Sequence, residues 1–188
     1  VIFGLGIAWT VGKLFLFFSG LLLIMGVLYN VHPIRLKDRV FIDVRSESFN
    51  NPIRFFLGWH IVEKIYLPPS SVLLAYWFGG AFLMAVKRYA EYKKFDNPNC
   101  AGQYRRSFRF YSPNSLLLSM FFYAMNAALF LGVFLVKYRI EFLLCFPFIA
   151  LLFTWYAWYG LNGDLVAENP EKLYKKVKFL LYTCFVVI

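Results

Sequence analysis

The chain has 188 residues, 61% of them hydrophobic and 16% charged, and a mean hydropathy of +0.60. A water-soluble domain carries about a quarter of its residues as charges, so the composition excludes one and points to a polytopic membrane protein. A formal net charge of +10 would suit nucleic acid, but the cations gather in alternate connections between apolar runs, which argues for anionic headgroups or a phosphorylated substrate and against nucleic acid.

The first run, 1–12, is apolar from its first residue and lacks the basic segment and small-residue cleavage site of a signal peptide. With the apolar run 178–188 at the other end, it predicts one transmembrane domain over 1–188 that is truncated at both ends. Four runs between them, 15–31, 70–86, 115–136 and 141–161, approach or exceed the roughly 20 apolar residues that cross a bilayer core. Arg35, Lys37 and Arg39 lie in one connection, seven cations from Lys87 to Arg109 in another, and Lys172, Lys175, Lys176 and Lys178 in a third. The intervening connections carry only Lys64, and Lys137 with Arg139; Lys13 sits at the first short turn. Retention of positive charge then predicts that the three basic loops are cytoplasmic, in a plasma or inner membrane. Cys100, Cys145 and Cys184 are odd in number and lack metal-ligand spacing, so neither a disulfide framework nor a zinc site is expected.

The segment 40–64 has helix length but is too polar to face lipid, with Asp43, Arg45, Glu47, Asn50, Asn51, Arg54, His60 and Glu63. At about 100° per residue, Glu47 falls about 40° from Asp43, Asn50 and Arg54 about 20° from it, and Phe49, Phe55, Phe56 and Trp59 on the far side. Pro52 interrupts this projection as a kink or a helix start. Ionisable groups at membrane depth are costly unless they face a bundle interior or a wet cavity, which makes Asp43, Glu47 and Arg54 site candidates. An internal salt bridge holding helices together is the other reading. Arg45, off the stripe, is expected to snorkel at the cytoplasmic rim, and His32 and His60 to be interfacial rather than catalytic.

The next helix ends in Lys87-Arg88-Tyr89-Ala90-Glu91, with Lys87 and Glu91 as i,i+4 neighbours. Gly80 and Tyr76 project along the same face, predicting a narrow groove that leads to the pair. Lys offers a phosphate a point charge and Arg a planar fork; ordinary positive-inside charge with a helix-stabilising ion pair explains the residues equally. The polar loop, about 92–114, holds Asp96, Asn97, Pro98, Asn99, Gly102 and Tyr104-Arg105-Arg106-Ser107-Phe108-Arg109, and suits either a binding lid or a solvated surface. Trp155, Tyr156, Trp158 and Tyr159 read as an interfacial aromatic belt.

Tyr29-Asn-Val-His-Pro-Ile-Arg-Leu-Lys37, then Asp43, then Asn51-Pro-Ile-Arg54 with Gly58, resembles the fourth and fifth helices of the UbiA superfamily of intramembrane prenyltransferases. Ala85-Val-Lys-Arg-Tyr-Ala-Glu91, Arg106-Ser107 and Tyr111 look most like its polyprenyl-phosphate (decaprenyl-phosphate) phosphoribosyltransferase branch. The resemblance implies an all-α membrane bundle of nine helices in the full protein around a cavity open to the cytoplasm and laterally to lipid. About the last six helices would be present here, plus the end of the third. The family's Asn-Asp-x-x-Asp motif, which binds magnesium and diphosphate, would lie upstream of Val1, so no metal ligand is expected in this chain. Orthodox members carry Asp-x-x-x-Asp where this chain has Lys87 to Glu91, which favours the phosphoribosyl branch.

The implied reaction is attack of a polyprenyl phosphate oxygen on the anomeric carbon of phosphoribosyl pyrophosphate, with pyrophosphate leaving and Mg2+ as cofactor. Its implied catalytic residues are Asp43, Lys87 and Glu91, and its substrate-binding residues Tyr29, Lys37, Arg54 and Arg88. Two alternatives stand beside it: prenyl transfer from a prenyl diphosphate to a small acceptor, and a catalytically silent scaffold within a larger membrane complex. The implied partners are the lipid bilayer and these substrates, with homo-oligomers or a larger complex as assemblies.

Overall fold

The computed structural model describes residues 1–95 and 98–187, and every regular element among them is helical. The polar-loop residues Asp96 and Asn97 lie outside the described residues. Gly12 has φ +155°, a backbone that side-chain-bearing residues rarely adopt, and there the first apolar stretch divides into α1 (Ile2–Val11) and α2 (Lys13–Asn30). A short 3-10 turn, Leu36–Asp38, leads into α3 (Ile42–Val62), which runs through Pro52 without ending. Then come α4 (Ser70–Tyr92), α5 (Pro98–Tyr104), a 3-10 turn at Arg106–Arg109 and α6 (Pro113–Tyr138). A 3-10 turn at Ile140–Cys145, α7 (Phe146–Leu161), α8 (Leu165–Glu168), a 3-10 turn at Pro170–Lys175 and α9 (Val177–Val187) complete the chain.

Four stretches are long and apolar enough to cross a membrane: Lys13–Asn30, Ser70–Tyr92, Pro113–Tyr138 and Ile140–Leu161. They contain or closely overlap the four apolar runs. α3 is long enough but fails on composition, as the ionisable residues along it require. The start of α6 is fixed locally, because the Ser112 side chain accepts from the Ser115 N–H while the Ser115 hydroxyl accepts from the Ser112 N–H, and Pro113 occupies the first turn.

α4 is the central element, packed against α3, α6 and α7. Its small residues Gly80, Ala81, Ala85 and Ala90 are buried, and α3 and α6 close on them through Val44, Met120 and Tyr123. Small side chains let membrane helices approach closely enough for dispersion contacts to hold them. At Gly80 an added Cβ would lie 1.9 Å from Asn51 Nδ2, and at Gly160 it would lie 2.4 Å from Val86 Cγ1. The groove expected along Tyr76 and Gly80 is therefore filled: Asn51 occupies the space over Gly80, and the Tyr76 ring lies 5.5 Å from Phe55. Asn51 has a flexible amide end that turns aside, whereas Val86 is fully buried and stiff at χ1. Gly160→Ala should thus cost about 1–3 kcal/mol by overpacking, with a smaller loss for Gly80→Ala, as measured by thermal unfolding in detergent. Equal losses would mean that the α4–α7 contact relaxes freely.

The three basic connections meet at one end of the bundle. The Phe41 N–H donates to the Tyr111 hydroxyl at 2.7 Å, joining the first to the second, and Lys94 Nζ reaches Glu168 Oε2 at 2.5 Å, joining the second to the third. Within the third, Lys176 Nζ lies 2.5 Å from Asp164 Oδ2. Described residues of the second connection pack into a small core of their own, where Phe108 and Ala101 are fully buried against Tyr92, Tyr111 and Leu116.

Candidate functional site

An ionic cluster lies at this basic end, assembled from α2, α3, α4 and the connection before α6. Asp43, in the first turn of α3, is fully buried. Its Oδ1 accepts from the Tyr111 hydroxyl at 2.7 Å, and its Oδ2 faces Arg105 Nη2 at 3.3 Å, Arg88 Nε at 3.5 Å and the Ser107 hydroxyl at 3.5 Å. One helical turn later, Glu47 Oε2 accepts from Arg88 Nη2 at 2.7 Å and from the Tyr29 hydroxyl at 2.7 Å. Glu91 Oε2 accepts from Arg88 Nη1 at 2.8 Å. The Tyr29 hydroxyl in turn accepts from Arg105 Nη2 at 2.9 Å.

Arg88, 3% exposed, is the hub, because its planar fork serves Glu47 and Glu91 at once. Three carboxylates against two guanidinium groups leave a formal charge of −1. Such groups stay ionised away from water only when paired and hydrogen-bonded; both Arg88 Nη groups and the three carboxylates are so placed, whereas the buried Arg88 Nε faces Asp43 at 3.5 Å without a hydrogen bond. Asp43 forms the closed back of the cluster; the Glu47 side chain, 32% exposed, forms its accessible edge beside Tyr29.

Local backbone supports the arrangement. Phe41, ahead of α3, has φ +60°, a left-handed conformation that is costly for a bulky side chain. It is held by its N–H bond to Tyr111 and by an edge-on ring contact at 5.3 Å. The Tyr111 hydroxyl thus accepts from Phe41 and donates to Asp43; burial first, and then the Asp43 charge, push its ionisation well above the ordinary tyrosine range.

Of the residues singled out in the sequence, the structure brings together Asp43, Glu47, Glu91, Tyr29 and Arg88, and leaves three apart. Lys87 is half-buried and makes no ion pair among the described residues; the partner of Glu91 is Arg88, at i,i+3, not Lys87 at i,i+4. One residue along a helix is a turn of about 100°, and it is Arg88 that faces α3. Lys37 Nζ donates to Asn30 Oδ1 at 3.3 Å on the exposed surface. Arg54 is exposed, with Phe56 buried instead and stacked 3.9 Å from Phe18. Arg54 lies three turns, about 16 Å, along α3 from Asp43, so a shared face does not give a shared site. Phe55 is half-buried against Tyr76 and Trp59, not directed outward.

Arg105 escaped the sequence reading because nothing distinguishes it from Arg106 within a basic run. The 3-10 turn decides, burying Ser107 and Phe108 and aiming Arg105 at Asp43 while Arg106 is exposed. Magnesium does not fit the described residues: no three His, Cys, Asp or Glu side chains are grouped to hold an ion, both Asp43 oxygens are committed, and Glu47 and Glu91 each hold Arg88. Two recesses lie away from the cluster, one of about 560 Å³ between α6 and α7 and one of about 230 Å³ beside Arg45.

Comparison of the chain with protein-family models, with curated proteins and with solved structures finds no match. The fold and site define a class: an all-α bundle with four helices able to cross a membrane and a buried ionic cluster at its basic end.

Proposed function

We propose that the chain belongs to a UbiA-type intramembrane transferase that moves phosphoribose from phosphoribosyl pyrophosphate to a polyprenyl phosphate, in a plasma or inner membrane with the basic loops cytoplasmic. The observation that supports this reading is the convergence of Tyr29, Asp43, Glu47, Arg88 and Glu91 at the basic end of the bundle. In the reaction a phosphate oxygen of the lipid attacks the anomeric carbon, the bond from that carbon to pyrophosphate breaks, and pyrophosphate leaves with the bonding electrons. Catalysis is then mainly positioning and electrostatics. Lys87, the neighbour of Arg88 on α4, binds phosphate, Glu47 and Tyr29 orient a ribose hydroxyl, and Asp43 and Glu91 hold the arginines in place. Lys37, bonded to Asn30, and the exposed Arg54 lie away from the cluster and take no part in this reading. No step is assigned to magnesium, for which the residues here offer no fitting set of ligands.

Lys87→Ala should lower phosphoribosyl transfer at least tenfold with the fold intact, because a charged hydrogen bond to phosphate contributes about 1.5–3 kcal/mol. Arg109→Ala, on the exposed surface, should do much less. Transfer is followed with labelled phosphoribosyl pyrophosphate and decaprenyl phosphate, and in parallel with a prenyl diphosphate and a small acceptor. Activity with the second pair alone selects the prenyltransferase alternative. A scaffold without catalysis is the second reading, favoured by the full burial and internal pairing of Asp43; inactivity of the full-length protein with both pairs selects it.

A further inference from the structure

The cations from Lys87 to Arg109 are alike in the sequence, and the fold sorts them. Arg88 and Arg105 turn inward to the ionic cluster, Lys93 Nζ donates to the Leu161 carbonyl at 2.6 Å, and Lys94 holds Glu168. Arg106 and Arg109 turn outward: both are exposed, and neither meets a carboxylate among the described residues. They are three residues apart in a 3-10 turn, the spacing at which side chains eclipse, so they share one face. Ser107 and Phe108, between them in sequence, are fully buried, which gives the turn an inner and an outer side. Gly102 of α5 fixes where the outer side lies, because a Cβ there would come within 3.2 Å of Arg109 Cβ. Two aromatic rings flank the arginines. Tyr104, 64% exposed, ends α5, and Phe110, 74% exposed, directly follows the turn.

Rings and arginines side by side suit the boundary of a bilayer, where the body of a ring lies among headgroups and upper acyl chains while a guanidinium meets phosphate. A dissolved phosphate would meet the arginines but leave the rings in water; a lipid surface meets both. The connection adjoins such a boundary because it joins α4 and α6, two helices of membrane-spanning length. Phe110 is three residues ahead of Pro113, so its Cα lies within about 11 Å of the first residue of α6. Attraction between basic residues and an anionic leaflet acts within about a Debye length, roughly 8–10 Å. We propose that Tyr104, Arg106, Arg109 and Phe110 form a contact for the headgroups of anionic phospholipids in the bilayer that the helices cross. The two arginines pair with headgroup phosphates, and the two rings lie between neighbouring lipids. The contact does not depend on which reaction, if any, the ionic cluster serves.

The test places the full-length protein in phosphatidylcholine nanodiscs with a dye on the exposed Cys100, one helical turn before Tyr104, the other cysteines being replaced by alanine. A trace of lipid bearing a nitroxide near the top of an acyl chain is added as phosphatidylglycerol or as phosphatidylcholine. Quenching of the dye reads which lipid adjoins the patch. The phosphatidylglycerol form should be favoured about fivefold or more, since each basic residue near the surface contributes about that factor. Arg106→Gln with Arg109→Gln should lower the preference about threefold or more. Arg106→Lys with Arg109→Lys should keep most of it, because a leaflet needs charge rather than a planar fork, and Lys137→Gln should leave it whole. Equal quenching by the two forms with these arginines in place overturns the proposal and leaves the face to water or to a protein. So does an undiminished preference in the double Gln variant. Soluble glycerophosphate that erases the preference would overturn it too, and make the arginines a site for free phosphate. The comparison of the two lipids with the arginines in place decides even where a variant fails to fold.

Discussion

Arg88→Met should destabilise the protein by about 3–5 kcal/mol, the cost of breaking a buried ion pair by removing one partner. Arg88 is 3% exposed and supplies both the 2.7 Å bond to Glu47 and the 2.8 Å bond to Glu91, besides facing Asp43 at 3.5 Å. Methionine fills much of the volume but leaves Glu47 with Tyr29 and Glu91 with no side-chain donor among the described residues, while Asp43 keeps Arg105, Tyr111 and Ser107. Adding Glu47→Gln and Glu91→Gln to the same protein should restore more than half of the loss, since amides need no counter-charge. Thermal unfolding in detergent, followed by circular dichroism, measures both. A loss below about 1 kcal/mol for the single variant would show that water or other donors already serve these carboxylates, and would remove Arg88 as the hub.

Glu47→Gln alone should behave in the opposite way, with little change in stability and a drop of at least tenfold in phosphoribosyl transfer. The cluster carries one more carboxylate than guanidinium, so neutralising Glu47 brings its formal charge to zero without leaving an arginine unpaired. The Gln amide oxygen still accepts from Tyr29, and the side chain is one-third exposed, which limits the loss to about 1 kcal/mol. Glu47 is also the carboxylate at the accessible edge, where a ribose hydroxyl would meet it. Loss of a charged acceptor for that hydroxyl is worth about 1.5–3 kcal/mol in binding the reacting sugar. An unchanged initial rate, with the unfolding temperature also unchanged, would leave the cluster a structural device and favour the scaffold reading.

The opposite expectations for two residues 2.7 Å apart follow from burial. Replacing the buried Arg88 removes the shared partner of Glu47 and Glu91; replacing Glu47 changes what a solvent-facing edge presents. Pairing distance alone would not separate them.

Composition by itself determined that the chain forms apolar helices of membrane-spanning length, and the alternation of basic and nearly neutral connections anticipated that three basic connections meet at one end. The charge pattern of α3 marked Asp43 and Glu47 as inward-facing, because an ionised group on an apolar bundle has few other places to go. What the sequence could not settle was pairing. Helical periodicity fixes the angle of a residue around its own axis but not its depth or the rotation of the neighbouring helix. Those depend on close contacts such as Asn51 over Gly80 and Val86 against Gly160, so Arg88 rather than Lys87 faces α3, and Arg54 lies too far along the axis to join. Arg105 was decided by a single 3-10 turn, and the partner of the exposed Arg45 by the hydroxyl of Tyr123, 78 residues away in sequence. Contacts between segments so distant leave no periodic trace in either one, and only the packed helices bring them within hydrogen-bonding distance.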